Sequence, residues 1–136
     1  LRRSISQKGL DEVIEMTGRV GAEEMPALYR QSDILVSATM QEGMSNAMLE
    51  AMASGLPIVT TRCEGVEELV GDNGIVLEEA DAETIAEAVK KIAHDREGYR
   101  RMSEAARNRA NSFTWSSVAD RYTRRYRQIV QNKQSR

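Results

Sequence analysis

Apolar positions change their spacing along the chain, and the change divides it in two. Short apolar runs at 13–17, 34–37, 57–61 and 74–77 are each bounded by Gly, Asp or Pro and predict strands. Between them, 23–31, 46–54 and 66–70 predict helices. Strand–helix–strand alternation with short connections predicts an α/β fold, a doubly wound parallel sheet with flanking helices. After Asp81 the pattern becomes wholly helical. Residues 82–94 place Ile85, Ala86, Val89, Ile92 and Ala93 on one face, 96–110 follow, and a last helix spans 115–130. In that helix Trp115, Val118, Ala119, Tyr122, Tyr126 and Ile129 form a stripe, with Arg121, Arg124 and Arg125 largely off it. The expected organisation is one unit, an α/β core over 12–80 and carboxyl-terminal helices over 81–136.

Composition adds limits. The 136 residues are 40% hydrophobic, enough for one domain with a sizeable core. The apolar runs are too short to cross a bilayer, and the single Cys63 cannot form an internal disulfide. A cytoplasmic location is expected. The chain opens on Leu1, which predicts an excerpt of a longer protein. Residues 1–95 carry 8 Lys/Arg against 18 Asp/Glu, and 96–136 carry 11 against 3. That basic tail makes anionic membrane a candidate contact, but the expected reading is a helix packed by its Trp–Tyr stripe with arginines in solvent. A nucleic-acid partner would leave residues 12–78 unexplained, so none is expected.

Candidate chemistry concentrates between Thr39 and Gly55. The 34–37 strand runs into a loop with Glu42 and Gly43, and a helix starts near Ser45 and ends at Gly55. In an open α/β sheet the carboxyl end of a strand, entering a helix, is where ligands bind. The free N–H groups and the positive dipole end there suit an anion such as pyrophosphate. Gly43 lets backbone and ligand approach closely. Glu50 lies four positions after Asn46 and can share its face. Two carboxylates, one before and one after a phosphate cradle, can accept hydrogen bonds from sugar hydroxyls on both sides of a diphosphate. On spacing alone a ligand site and an ordinary strand–loop–helix core are both open, with Met44, Met48, Leu49 and Met52 serving as packing.

The run Glu42-Gly43-Met44-Ser45-Asn46-Ala47-Met48-Leu49-Glu50-Ala51-Met52-Ala53-Ser54-Gly55-Leu56-Pro57-Ile58-Val59 closely resembles the E-x7-E segment of retaining GT-B glycosyltransferases of family four. Thr17-Gly18-Arg19-Val20 followed by Met25-Pro26-Ala27-Leu28-Tyr29 resembles that family's preceding strand and helix. Glu64-Gly65-Val66-Glu67-Glu68-Leu69-Val70 resembles its GG-x-P-E-V-V turn, with Glu64 and Val66 departing from the usual residues. Asn73-Gly74-Ile75-Val76 and Phe113-Thr114-Trp115 fall where the family has a G-x-L-V strand and an F-x-W helix start.

The resemblance implies a Rossmann-like donor-binding domain. It implies that Glu42 contacts the transferred sugar, that amides of Gly43, Met44, Ser45 and Asn46 contact sugar and pyrophosphate, and that Glu50 binds ribose. Arg19 and Val20 fall near the base, with mostly main-chain contacts. The donor would be a UDP- or GDP-sugar, with retention of configuration, no cofactor and no divalent metal; no D-x-D pair or His/Cys cluster is present in the sequence. The family's first strand, its upstream Arg and Lys pair and its amino-terminal acceptor domain have no counterpart, and 1–9 resembles the helix after its second strand. A gap in the sheet beside 13–17 is therefore expected, and so is a lack of activity in these residues alone. His94, at a helix end, and Cys63, without a neighbouring His, are expected to be structural.

Overall fold

The computed structural model describes residues 1–39 and 45–134. In chain order the elements are α1 (Arg2–Gln7), α2 (Met25–Gln31), β1 (Leu35–Ser37), α3 (Asn46–Ser54), β2 (Ile58–Thr61), α4 (Val66–Leu69) and β3 (Gly74–Leu77). Helices α5 (Ala82–His94), α6 (Arg96–Ala110) and α7 (Trp115–Gln134) follow, with a 3-10 turn at Asn111–Phe113 before the last. The strands form one parallel sheet in the order β1-β2-β3.

β2 is the centre of the molecule, and all four of its residues are buried. Its alternating side chains serve two cores, as the period of two requires. Ile58 joins Tyr29, Met48, Met52, Val66, Leu69 and Ala106 on one face, whereas Val59 joins Ala88 and Ile92 on the other. Helices thus cover both faces of the strand. At Gly74 a Cβ would run into the carbonyl of Ile58, so the close approach of β3 to β2 requires glycine there. Asn73, fully buried, closes the turn before it: its Oδ1 accepts from the Gly71 N–H at 2.9 Å and its Nδ2 donates to the Leu69 carbonyl at 3.1 Å.

Local signals set the helix ends. Asp81 accepts from the N–H groups of Glu83 and Thr84, and Asp95 from that of Gly98. α3 ends on Gly55 in the left-handed region, where the Gly55 N–H donates to Met52 and the Leu56 N–H to Ala51, a Schellman closure.

Two expectations fail. Residues 13–17 are not a strand: the N–H groups of Val13 and Ile14 turn back to the Leu10 carbonyl, and Val13, Ile14 and Met16 are exposed. A strand needs a neighbour for its hydrogen bonds, and among the described residues no fourth strand joins the sheet. The stripe on α7 is not packed away either. Trp115 is 90% exposed, Tyr122 and Tyr126 more than half exposed, and among the described side chains of the helix only Ser117 and Val118 near its start are half-buried. The helix also runs to Gln134, beyond the expected 130.

Candidate donor site at the start of helix α3

Parallel strands point their carboxyl ends to one edge, and β1, β2 and β3 all deliver loops there. The loop from β1 leads to α3. Its base is tied by Thr61, a buried residue at the end of β2, whose Oγ1 donates to the Thr39 carbonyl at 2.6 Å. β1 and β2 stop pairing at Ser37–Thr60, so this side-chain bond continues the connection after the backbone ladder has ended. Glu42, Gly43 and Met44 lie outside the described residues.

Ser45 is buried at the N-cap of α3 with extended ψ, but its side chain makes no capping hydrogen bond. Its carbonyl accepts the first helical bond, from Leu49 N–H at 3.1 Å. The first-turn amides are therefore not consumed by the cap residue, and no acidic side chain stands in that turn. Among the described residues no side chain caps them, and they stand at the end of the helix where the dipole favours an anion.

α3 buries Met48, Ala51 and Met52 and exposes Asn46 and Glu50. Asn46 and Glu50 sit one turn apart on the same open side, as their spacing predicts. Behind them stands Tyr29, buried on α2 in the same core cluster as Met48, Ala51 and Met52. Burial raises the pKa of its phenol, and the nearby charge of Glu50 raises it further. Sequence reasoning did not single Tyr29 out; 21 positions separate it from Glu50, and nothing in local spacing links the two. Thr61 was missed for the same reason.

Arg62, just past β2, is the cation at this edge of the sheet, and carboxylates already hold it. Its Nε donates to Glu78 Oε2 at 2.8 Å, its Nη2 to Glu78 Oε1 at 2.6 Å and its Nη1 to Glu67 Oε1 at 2.6 Å. The bonds from Arg62 hold the Glu78 carboxyl below the ordinary glutamate value, and Glu78 holds the guanidinium charged. Arg62 is thus committed to protein partners.

Arg19 is exposed and Val20 half-buried in irregular backbone after Gly18, whose φ is +70°. No hydrogen bond or ion pair among the described residues joins either of them to α3. His94 ends α5, its Nδ1 2.7 Å from the Lys90 carbonyl, and Cys63 is buried, so both have structural surroundings. Among the described residues no helix is long and apolar enough to cross a membrane.

A family model described as "Glycosyl transferases group 1" matches residues 1–95. The MMP alpha-(1->4)-mannosyltransferase of Mycolicibacterium hassiacum is 29% identical over 119 residues, which cover 85% of this chain and 29% of that relative. Sucrose-phosphate synthase from Thermosynechococcus elongatus superposes with a TM-score of 0.83 at 22% identity, over 96% of this chain and 34% of that one. Anabaena HepE, solved in complex with UDP-glucose, superposes with a TM-score of 0.76 at 22% identity, over 99% of this chain and 36% of its own. The chain therefore spans about a third of the length of these proteins, and the superpositions establish a shared fold.

Proposed function

The chain belongs to the glycosyl transferases of group 1 and has their GT-B fold, and from that premise we propose that it forms the donor-binding part of a retaining hexosyltransferase. The donor is a nucleoside diphosphate sugar, UDP- or GDP-linked, and the acceptor a glycan or a lipid-linked sugar. The observation that carries this reading is the amino end of α3: first-turn amides free of a side-chain cap, with Asn46 and Glu50 on the open side, at the carboxyl edge of a parallel sheet. The complex of HepE with UDP-glucose supports the donor class.

In this reading Glu50 accepts from the ribose hydroxyls, and the amides of Gly43, Met44, Ser45 and Asn46 receive sugar and diphosphate. Glu42 contacts the transferred sugar, and the main chain at Arg19 and Val20 meets the base. As the sugar–phosphate bond breaks, negative charge grows on the departing diphosphate. Fixed N–H groups and the dipole of α3 stabilise that charge without a metal ion. Arg62 is occupied by Glu67 and Glu78, so further cationic neutralisation and the acceptor wall come from a partner domain outside these 136 residues. The isolated chain is accordingly inactive.

The test is Glu42→Ala in the full-length enzyme, assayed for turnover against a panel of nucleotide sugars. Loss of an interaction made at the reacting centre should lower kcat by about a hundredfold or more. Near-normal turnover in that variant would sink the catalytic assignment. Donor binding without turnover in the wild-type enzyme would instead support a nucleotide-sugar-binding module.

A further inference from the structure

We propose that Thr61 is a positioning residue for the donor site: its buried hydroxyl holds the exit of β1 in fixed relation to the start of α3, where the donor diphosphate is received. The inference rests on the donor-site reading above. Thr61 ends β2 and is 1% exposed. A valine has the same branched shape and suits a buried strand at least as well. The hydroxyl is therefore the part that needs a reason, since burying one is costly unless it is bonded. Its partner is the Thr39 carbonyl, 2.6 Å away and 22 positions earlier in the chain.

The bond sits where the backbone stops making the same connection. β1 and β2 pair as far as Ser37 and Thr60, whereas Thr61 pairs with Leu77 of β3, and the Arg62 N–H donates to the Leu77 carbonyl. The end of β2 thus turns its backbone to β3 and reaches the chain after β1 with a side chain. The same strand also locates α3, because Ile58 packs in one cluster with Met48 and Met52. β2 therefore fixes both sides of the site, the helix through Ile58 and the strand exit through the Thr61 hydroxyl. Ser45, the buried N-cap of α3, follows Thr39 by six positions, so the freedom of the chain between them depends on how firmly these two ends are held. Binding groups that are held loosely must be ordered by the ligand, and that ordering costs affinity. Thr61 itself acts through Thr39 and touches no ligand.

The test compares wild type, Thr61→Val, Thr61→Ser and Thr61→Ala in the full-length enzyme. Each is titrated calorimetrically with UDP, GDP and inorganic pyrophosphate well below its Tm, and Tm is measured alongside. Thr61→Val keeps the volume and drops the hydroxyl, so it should weaken the preferred diphosphate about three- to tenfold, the weight of one hydrogen bond. Thr61→Ser keeps the hydroxyl and drops a buried methyl, so Tm should fall while affinity stays at the wild-type value. Thr61→Ser and Thr61→Ala differ by the hydroxyl alone, and the same loss of affinity should separate them even if Thr61→Val does not fold. A merely structural role gives another pattern, in which affinity follows Tm or does not move at all. Either result, with Thr61→Ser as weak a binder as Thr61→Ala, would overturn the inference and leave the donor site in place. If wild type itself binds none of the three ligands, the donor-site reading falls and the inference falls with it.

Discussion

At Gly55 the backbone adopts φ 84° and ψ 24°, and the Arg107 guanidinium from α6 occupies the space a Cβ would need. Arg107 Nη2 also donates to the Ser54 carbonyl at 3.4 Å, placing a cation at the negative end of α3. Gly55→Ala should destabilise the chain by about 1–3 kcal/mol through the left-handed backbone, and Arg107→Ala by about 0.5 kcal/mol. The two should not add in urea denaturation, because the alanine methyl has already displaced the guanidinium. Tyr29 offers a second check with a definite sign. Its folded pKa is raised above the ordinary value of 10.0, so its contribution is full below pH 10 and fades as pH climbs through the raised value. The stability difference between wild type and Tyr29→Phe should therefore shrink above pH 10. A difference that stays flat between pH 8 and pH 11.5 would contradict the effect of burial and of the nearby Glu50 charge together.

Among the elements, those set by local chemistry were legible and those set by distant partners were not. α3, α5, α6 and β3 begin and end at the residues the spacing predicts, and most of those ends carry a nearby signal: the Gly55 closure, the Asp81 and Asp95 caps, and Gly74. The same locality let the sequence place Ser45, Asn46 and Glu50 together at the start of α3. Residues 13–17 read as a strand from composition, but a strand exists only if another pairs with it. Periodicity likewise showed which side of α7 is apolar and said nothing about what covers it. The arginines of the basic tail divide in a way the sequence did not disclose. Arg107 and Arg109 on α6 close the carbonyl ends of α3 and α4, Arg109 Nε donating to Glu68 at 3.2 Å and its Nη2 to Glu67 at 3.3 Å. The arginines of α7 are exposed. α7 should therefore be dispensable for the core. Truncation after Thr114 should remove helical signal by circular dichroism yet change unfolding free energy by less than about 1 kcal/mol, the range of surface changes. A larger loss would mean that the stripe packs on the rest of the chain after all.

For the molecule as a whole, the decisive fact is how little of its apolar surface the three-stranded sheet can cover. β1 lies at an edge of the sheet with Val36 exposed, Val13, Ile14 and Met16 stand uncovered in the turn before α2, and α7 presents Trp115, Tyr122, Tyr126, Ile129 and Val130. Open strand edges and large apolar patches promote association. The charge division offers a second route, since 1–95 are acidic and 96–136 basic, and two copies could pair head to tail. Salt separates the two causes. Ion pairing between exposed groups is screened, with a Debye length near ~3 Å at 1 M, whereas apolar contact persists or strengthens in a salting-out anion such as sulfate. The chain should self-associate with rising concentration in sedimentation velocity, and the association should survive sulfate. Tyr122→Glu with Tyr126→Glu should reduce it if α7 is the sticky surface, and Val36→Lys if it is the β1 edge. A chain that stays monomeric across the series would mean that these surfaces fold onto one another in solution. Dissociation on adding salt would instead assign the contact to the two opposed charges.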